Sequence, residues 1–203
     1  MFPRKCTANC LTHPNLLTPN FSLYLHPTIP TAQSIIVPTI DTVRTASLLQ
    51  TFITQQRHVL LVGATGTSKT ITINTKLTVG LDRNIYQPVP ITFSAQTSAN
   101  QTQDIVDGKM DRRSKGIFGP PLLKRYVVFV DDLNMPVKEK YGAQPPIELV
   151  RQFMDHRGWF DRKLNSFRTL VDMQFVSAMG PPGGGRNAIR HAPTLFNFLP
   201  PQK

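Results

Sequence analysis

His58-Val59-Leu60-Leu61-Val62-Gly63-Ala64-Thr65-Gly66-Thr67-Ser68-Lys69-Thr70 is the stretch on which the fold turns. Its first half is apolar after the histidine and stops at a glycine. That is the texture of a strand buried on both faces of a parallel sheet. Its second half follows the pattern G-x-x-x-x-G-K-[ST] at every position but one, and a helix is expected to follow. Strand, glycine-rich turn and helix in that order form the setting in which such a loop holds phosphate. Backbone N–H groups and the helix N-terminus then surround a β-phosphate with partial positive charge. Lys69 is expected to reach the β- and γ-oxygens, and Thr70 to place its hydroxyl on Mg2+. The phosphate-binding candidates are therefore the eight residues from Gly63 to Thr70. The departure is Ser68, where the pattern has glycine. If that position requires positive φ, serine costs about 1 kcal/mol. Its side chain would also crowd a phosphate oxygen, so weaker binding is expected.

A second half-site lies about 60 residues further on. Tyr126-Val127-Val128-Phe129-Val130 is an apolar strand candidate that ends in two acids, Asp131 and Asp132. Asp131 is expected to hold Mg2+ through its water shell, opposite Thr70. Asp132 stands where a glutamate usually orients the attacking water. Aspartate is one methylene shorter, so its carboxylate is expected to fall short of that water. One strand candidate separates the two half-sites, a spacing that suits a P-loop ATPase of the AAA+ kind.

Outward from these motifs the pattern stays α/β. Residues 42–53 carry apolar side chains at helical spacing (Val43, Ala46, Leu49, Ile53). Further apolar runs at 89–93 and 173–178 read as strands, with crossover helices at 98–110 and 146–154. Strands alternating with helices imply a layered domain with a mainly parallel sheet. Residues 111–125 and 158–169 break the alternation and read as hairpin or loop inserts. Trp159, Phe160 and Phe153 read as core or hairpin packing. Residues 1–33 hold five prolines without a helical or alternating period, and read as an irregular leader. Cys6, Cys10, His13 and His26 lack the spacing of a paired-cysteine zinc finger.

Composition bounds the partners. The chain has 203 residues, 40% of them apolar, and a formal charge of +11 from 23 Lys and Arg against 12 Asp and Glu. No apolar run approaches the ~18 residues that a membrane span needs, and no secretory signal pattern opens the chain. Two cysteines make no disulfide framework and favour a reducing compartment. The charge first suggests an anionic partner. Nucleic acid is not expected, because no zinc-finger, RNP or helix-turn-helix signature accompanies it. Between residues 111 and 170 twelve Lys or Arg mix with seven acids, which describes a solvated rim and not one patch.

Longer stretches carry a family resemblance. They are Ile35-Ile-Val-Pro-Thr-Ile-Asp-Thr-Val-Arg44, Phe93-Ser-Ala-Gln-Thr-Ser-Ala-Asn-Gln-Thr-Gln103 and Lys115-Gly-Ile-Phe-Gly-Pro-Pro121. Further on come Phe129-Val-Asp-Asp-Leu-Asn-Met-Pro136, Tyr141-Gly-Ala-Gln-Pro-Pro-Ile-Glu-Leu149 and Ala178-Met-Gly-Pro-Pro-Gly-Gly-Gly-Arg-Asn187. Over roughly three quarters of its length the chain resembles axonemal dynein heavy chains, in the third AAA module of the motor ring. The resemblance implies an AAA+ large subdomain over 34–187, with sheet order 5-1-4-3-2 and β-hairpin inserts. It implies ATP or ADP with Mg2+ as ligands, and places Ile36, Val37 and Pro38 near the adenine. It further implies neighbouring AAA modules, dynein intermediate and light chains and microtubules as partners. The setting implied is the axoneme of a cilium or flagellum.

The departures shape the remaining expectations. Ala64 and Ser68 replace residues of the family loop G-P-T-G-T-G-K. Gly180 stands where many AAA modules carry a polar sensor asparagine, although axonemal third modules commonly resemble this chain there. Arg186 reads either as an arginine offered to a neighbouring module or as a loop arginine holding a neighbour's backbone. Residues 188–203 diverge, so the fifth strand and the helical lid are not expected, and the chain reads as a shortened dynein product. Regulatory nucleotide binding with weak or no hydrolysis is the expected activity. The alternative is a non-catalytic remnant that binds an acidic protein partner such as tubulin.

Overall fold

The computed structural model describes residues 37–162, 164–189 and 197–202. The irregular leader, Ile36 and the four cysteine and histidine residues before it lie outside these residues. After Thr39, a reciprocal capping pair with Thr42 starts helix α1 (Ile40–Thr54). Strand β1 (Val59–Gly63) runs into α2 (Lys69–Thr78), and β2 (Tyr86–Thr92) into α3 (Ala99–Asp107). Ser98 and Gln101 cap α3 in the same reciprocal way. A hairpin of β3 (Asp111–Ser114) and β4 (Ile117–Gly119) precedes β5 (Arg125–Asp131). Helix α4 (Pro145–His156) starts on two prolines, whose missing N–H groups suit a first turn. A second hairpin, β6 (Gly158–Phe160) and β7 (Phe167–Leu170), leads to β8 (Met173–Met179).

The main sheet has the order β2-β5-β8-β1-β9, with every pair parallel. Its last member, β9 (Asn197–Gln202), corrects one expectation. The divergent tail supplies a fifth strand beside β1, with Leu60 opposite Phe198. The physical pressure is clear: β1 is apolar on both faces, and an open flank would leave its N–H and C=O groups unpaired. Pro200 and Pro201 cannot donate to the ladder, which suits an edge strand and the slipped register between Leu61 and Gly63. Read from the tail, the order is the 5-1-4-3-2 that the resemblance implies.

Alternation along the central strands builds two cores. Val59, Leu61, Val127, Phe129, Val176 and Ala178 face α1 and α2, meeting Leu49, Ile53, Ile73 and Leu77. Leu60, Val128, Val130 and Phe175 face the other way, onto Val106 of α3 and Val150 and Phe153 of α4. The inserts do more than decorate. Strand β4 pairs with β7, so the two hairpins join in one four-stranded sheet, β3-β4-β7-β6. Arg113 fastens it by bonds to the Pro120 carbonyl and to Asp172, the latter at 2.5 Å.

Just before β1, His58 packs edge-on against Phe153 (5.8 Å between ring centroids) and accepts the Phe175 N–H at Nδ1 (3.0 Å). Burial, then the Arg157 charge, lowers its pKa from 6.5 to about 4. Between those values the unfolded chain binds a proton that the folded chain refuses. Stability is therefore full above pH 6.5 and falls as the pH drops toward 4, by about 3 kcal/mol in all. Urea midpoints at pH 7.5 and pH 4.5 check this. A His58→Gln variant should lose clearly less than the parent over that interval, and equal losses would contradict the assignment.

Candidate functional site

The loop between β1 and α2 lies at the C-terminal end of the parallel sheet, where ligands of open α/β sheets gather. Gly66 (φ 86°) and Ser68 (φ 57°, ψ 16°) both adopt left-handed backbone. The condition attached to Ser68 is thus met: this is a glycine position occupied by serine. Ser68 makes no capping bond in return. Ser68→Gly is expected to stabilise the fold by about 1 kcal/mol; an unchanged or lower urea midpoint would contradict that.

Lys69 folds back over its own loop. Its ammonium donates to the Ala64 carbonyl at 2.6 Å and to Thr67 Oγ1 at 3.2 Å, while the Thr67 hydroxyl donates to the same carbonyl at 2.9 Å. Burial, followed by repulsion from Arg186, lowers the Lys69 pKa, and Asp131 and Asp132 act in the opposite sense. The Thr70 hydroxyl donates to Asp131 Oδ1 at 3.1 Å, and the same oxygen accepts the Asp132 N–H at 3.0 Å. A hydroxyl and a carboxylate facing each other at a phosphate loop are the hard oxygen donors that Mg2+ takes. The two half-sites, 61 residues apart in sequence, meet because β1 and β5 flank β8.

Asp132 turns out of β5 with φ 51°, and its carboxylate lies 3.6 Å from Nη2 of Arg186. Arg186 also donates from Nη1 to Thr65 Oγ1 at 3.0 Å. Of the two readings of Arg186, neither describes this arrangement, because the guanidinium enters the cleft of its own chain. The Gly-rich loop that carries it is stapled to the segment after β5. Asn134 donates to the Gly180 carbonyl at 2.8 Å. The Asn187 backbone donates to the Asn134 carbonyl at 3.0 Å, and its side chain to the Pro136 carbonyl at 2.9 Å. Sequence reasoning did not single out Asn134 or Asn187, although both sit inside the quoted motifs.

Together these elements enclose a cleft of about 250 Å³, lined by residues 65–71, Asp131, Asp132, Met179, Gly180 and Arg186. Gly63 is buried as the last residue of β1, and Ala64 contributes its carbonyl to Lys69. Val37 and Pro38 are exposed ahead of α1. Among the described residues no group of three or more His, Cys, Asp or Glu could hold a metal by itself. No described helix is long and apolar enough to cross a membrane.

Comparison with known proteins gives the family. A family model described as the P-loop containing dynein motor region matches residues 24–194. Dynein axonemal heavy chain 1 of Rattus norvegicus is 57% identical over 168 residues, which is 82% of this chain and 4% of that protein. Dynein axonemal heavy chain 3 of Mus musculus is 57% identical over 155 residues, 76% of this chain and 4% of its own length. Dynein axonemal heavy chain 12 of Mus musculus is 53% identical over 157 residues, 77% of this chain and 5% of its own. The chain therefore spans about one twentieth of the length of these relatives. With a phosphate loop, a facing Thr70–Asp131 pair and this match over most of its length, the chain belongs to the P-loop-containing dynein motor region family.

Proposed function

We propose that residues 34–187 form an ATP/ADP-binding AAA module of an axonemal dynein heavy chain, the third of the motor ring. The observation that carries this reading is the convergence of Lys69, Thr70 and Asp131 on one cleft at the end of the parallel sheet. Lys69 leaves the Ala64 carbonyl for the phosphate oxygens, exchanging a neutral partner for an anionic one. Thr70 and Asp131 would hold Mg2+, which would supply positive charge against the phosphates. Backbone N–H groups of residues 66–69 cradle the β-phosphate. Asp132 orients water poorly, being short and close to Arg186. Binding therefore outlasts hydrolysis, and the module regulates and does not move by itself. Its place is the axoneme of a cilium or flagellum. There the neighbouring AAA modules, dynein intermediate and light chains and microtubules are partners of the whole minus-end-directed motor.

Calorimetric titration with ADP and ATP, with and without Mg2+, tests the reading, with Lys69→Ala as the control. Mg2+-dependent saturation is expected in the parent chain. No heat at millimolar nucleotide would overturn it.

A further inference from the structure

We propose that Arg186 reads the terminal phosphate of the nucleotide within its own chain, and that Gly180 is the glycine that makes room for it. The proposal rests on the nucleotide reading above and assigns a residue that the phosphate-loop motifs do not contain. Strand β8 ends between β1 and β5, so whatever follows Met179 faces the cleft. Gly180 follows, and offers no side chain. A Cβ built there would lie 2.9 Å from Cδ, Nε and Cζ of Arg186. The arginine thus runs across the space that a side chain at position 180 would fill. A glycine at 180 and a long cation six residues later replace one short polar side chain.

The base of Arg186 is held by backbone bonds, and its tip by one hydroxyl and one long ion pair. Reciprocal backbone bonds to Gly183 (3.0 and 3.1 Å) close the loop, and Asn187 ties the next residue to the segment after β5. At the tip, Nη1 has a neutral hydroxyl, and Nη2 lies 3.6 Å from the Asp132 carboxylate, too far for a good hydrogen bond. Nε is buried with no hydrogen-bond partner among the described residues. A fork with strong donors and weak partners, facing a second cation on the same cleft, fits an anion with several oxygens. The β-phosphate has its cradle in the loop N–H groups of residues 66–69. Arg186 spans from Thr65 to Asp132, and Asp132 holds the water-orienting position, beside which a third phosphate would lie. Taking that phosphate draws the guanidinium off Asp132, so the site distinguishes ATP from ADP by where Arg186 sits.

Calorimetry of the 203-residue chain with Mg-ADP and with a non-hydrolysable ATP analogue tests this. Arg186→Ala should weaken the analogue roughly tenfold and leave ADP within about twofold. Gly180→Ala, which keeps the arginine but obstructs its path, should reproduce the selective loss. Arg186→Lys should fall between, and supplies the ratio if the alanine variant fails to fold. Equal weakening of both ligands, or of neither, overturns the proposal while leaving nucleotide binding intact. A parent chain that binds neither ligand overturns both.

Discussion

Lys69→Ala is expected to weaken binding of both ADP and ATP by roughly a hundredfold or more, with little change in folding. The two halves of that expectation have separate causes. Lys69 is the cation of the loop, and the hydrogen bonds proposed for it to phosphate would be charge-assisted, worth about 1.5–3 kcal/mol each. Losing two of them corresponds to at least two decades in affinity. In the free protein the same ammonium only rests on the Ala64 carbonyl and the Thr67 hydroxyl. Its partial burial already disfavours the charge, so removing it costs the fold little. Calorimetry gives the first half and urea unfolding the second. A variant that binds normally would remove Lys69 from the site. One that unfolds would show that the Ala64 contact supports the loop.

The site was legible where one residue type in one place is enough for the chemistry. Lys69, Thr70 and Asp131, which the motifs name, line one cleft in the structure, because a loop after a buried strand leaves the lysine, hydroxyl and carboxylate little freedom. Ser68 was legible as a strained position because the pattern carries glycine there, and its φ of 57° bears this out. Arg186 was not legible in the same way. Its reach into the cleft depends on the staples from Asn134 and Asn187 and on the gap at Gly180. No local pattern reports such a three-part arrangement.

The fold divided along a similar line. Strands β1, β5 and β8 declared themselves as apolar runs because both of their faces are buried. The β2 boundary shifted toward Tyr86, since Gln87 and Pro88 carry no apolar signal yet pair with Tyr126 and Val127. The inserts were visible only as interruptions. Their union into one sheet is made by two register pairs, Ile117 with Thr169 and Phe118 with Leu170. Pairs so few and so far apart in sequence leave no periodic trace. Strand β9 was missed for a different reason: the tail diverges from the family stretches, and its two adjacent prolines carry no strand signal except on an edge.

The union of the inserts with the core also locates the largest expected loss of stability, at Trp159. Its side chain is 1% exposed. The ring lies 6.1 Å from that of Phe153 on α4, and its Nε1 donates to Asp107 Oδ1 on α3 at 3.1 Å. One residue of β6 thus joins a hairpin to two helices of the main layer. Trp159→Ala is expected to cost about 3–5 kcal/mol, a large part of the ~5–15 kcal/mol that holds a domain of this size. Trp159→Phe separates packing from hydrogen bonding. It keeps most of the buried ring and should cost about 1–2 kcal/mol, because Asp107 loses the indole but keeps Arg168 at 3.3 Å. Burial raises the pKa of Asp107, and the indole bond opposes that rise by favouring the carboxylate. The cost of Trp159→Phe should therefore be greatest near neutral pH, where Asp107 is charged, and should shrink as acid protonates it. Circular dichroism must follow the unfolding, since Trp159 is the only tryptophan of the chain. A phenylalanine variant as damaged as alanine, with no dependence on pH, would mean that shape alone and not the indole bond holds the inserts in place.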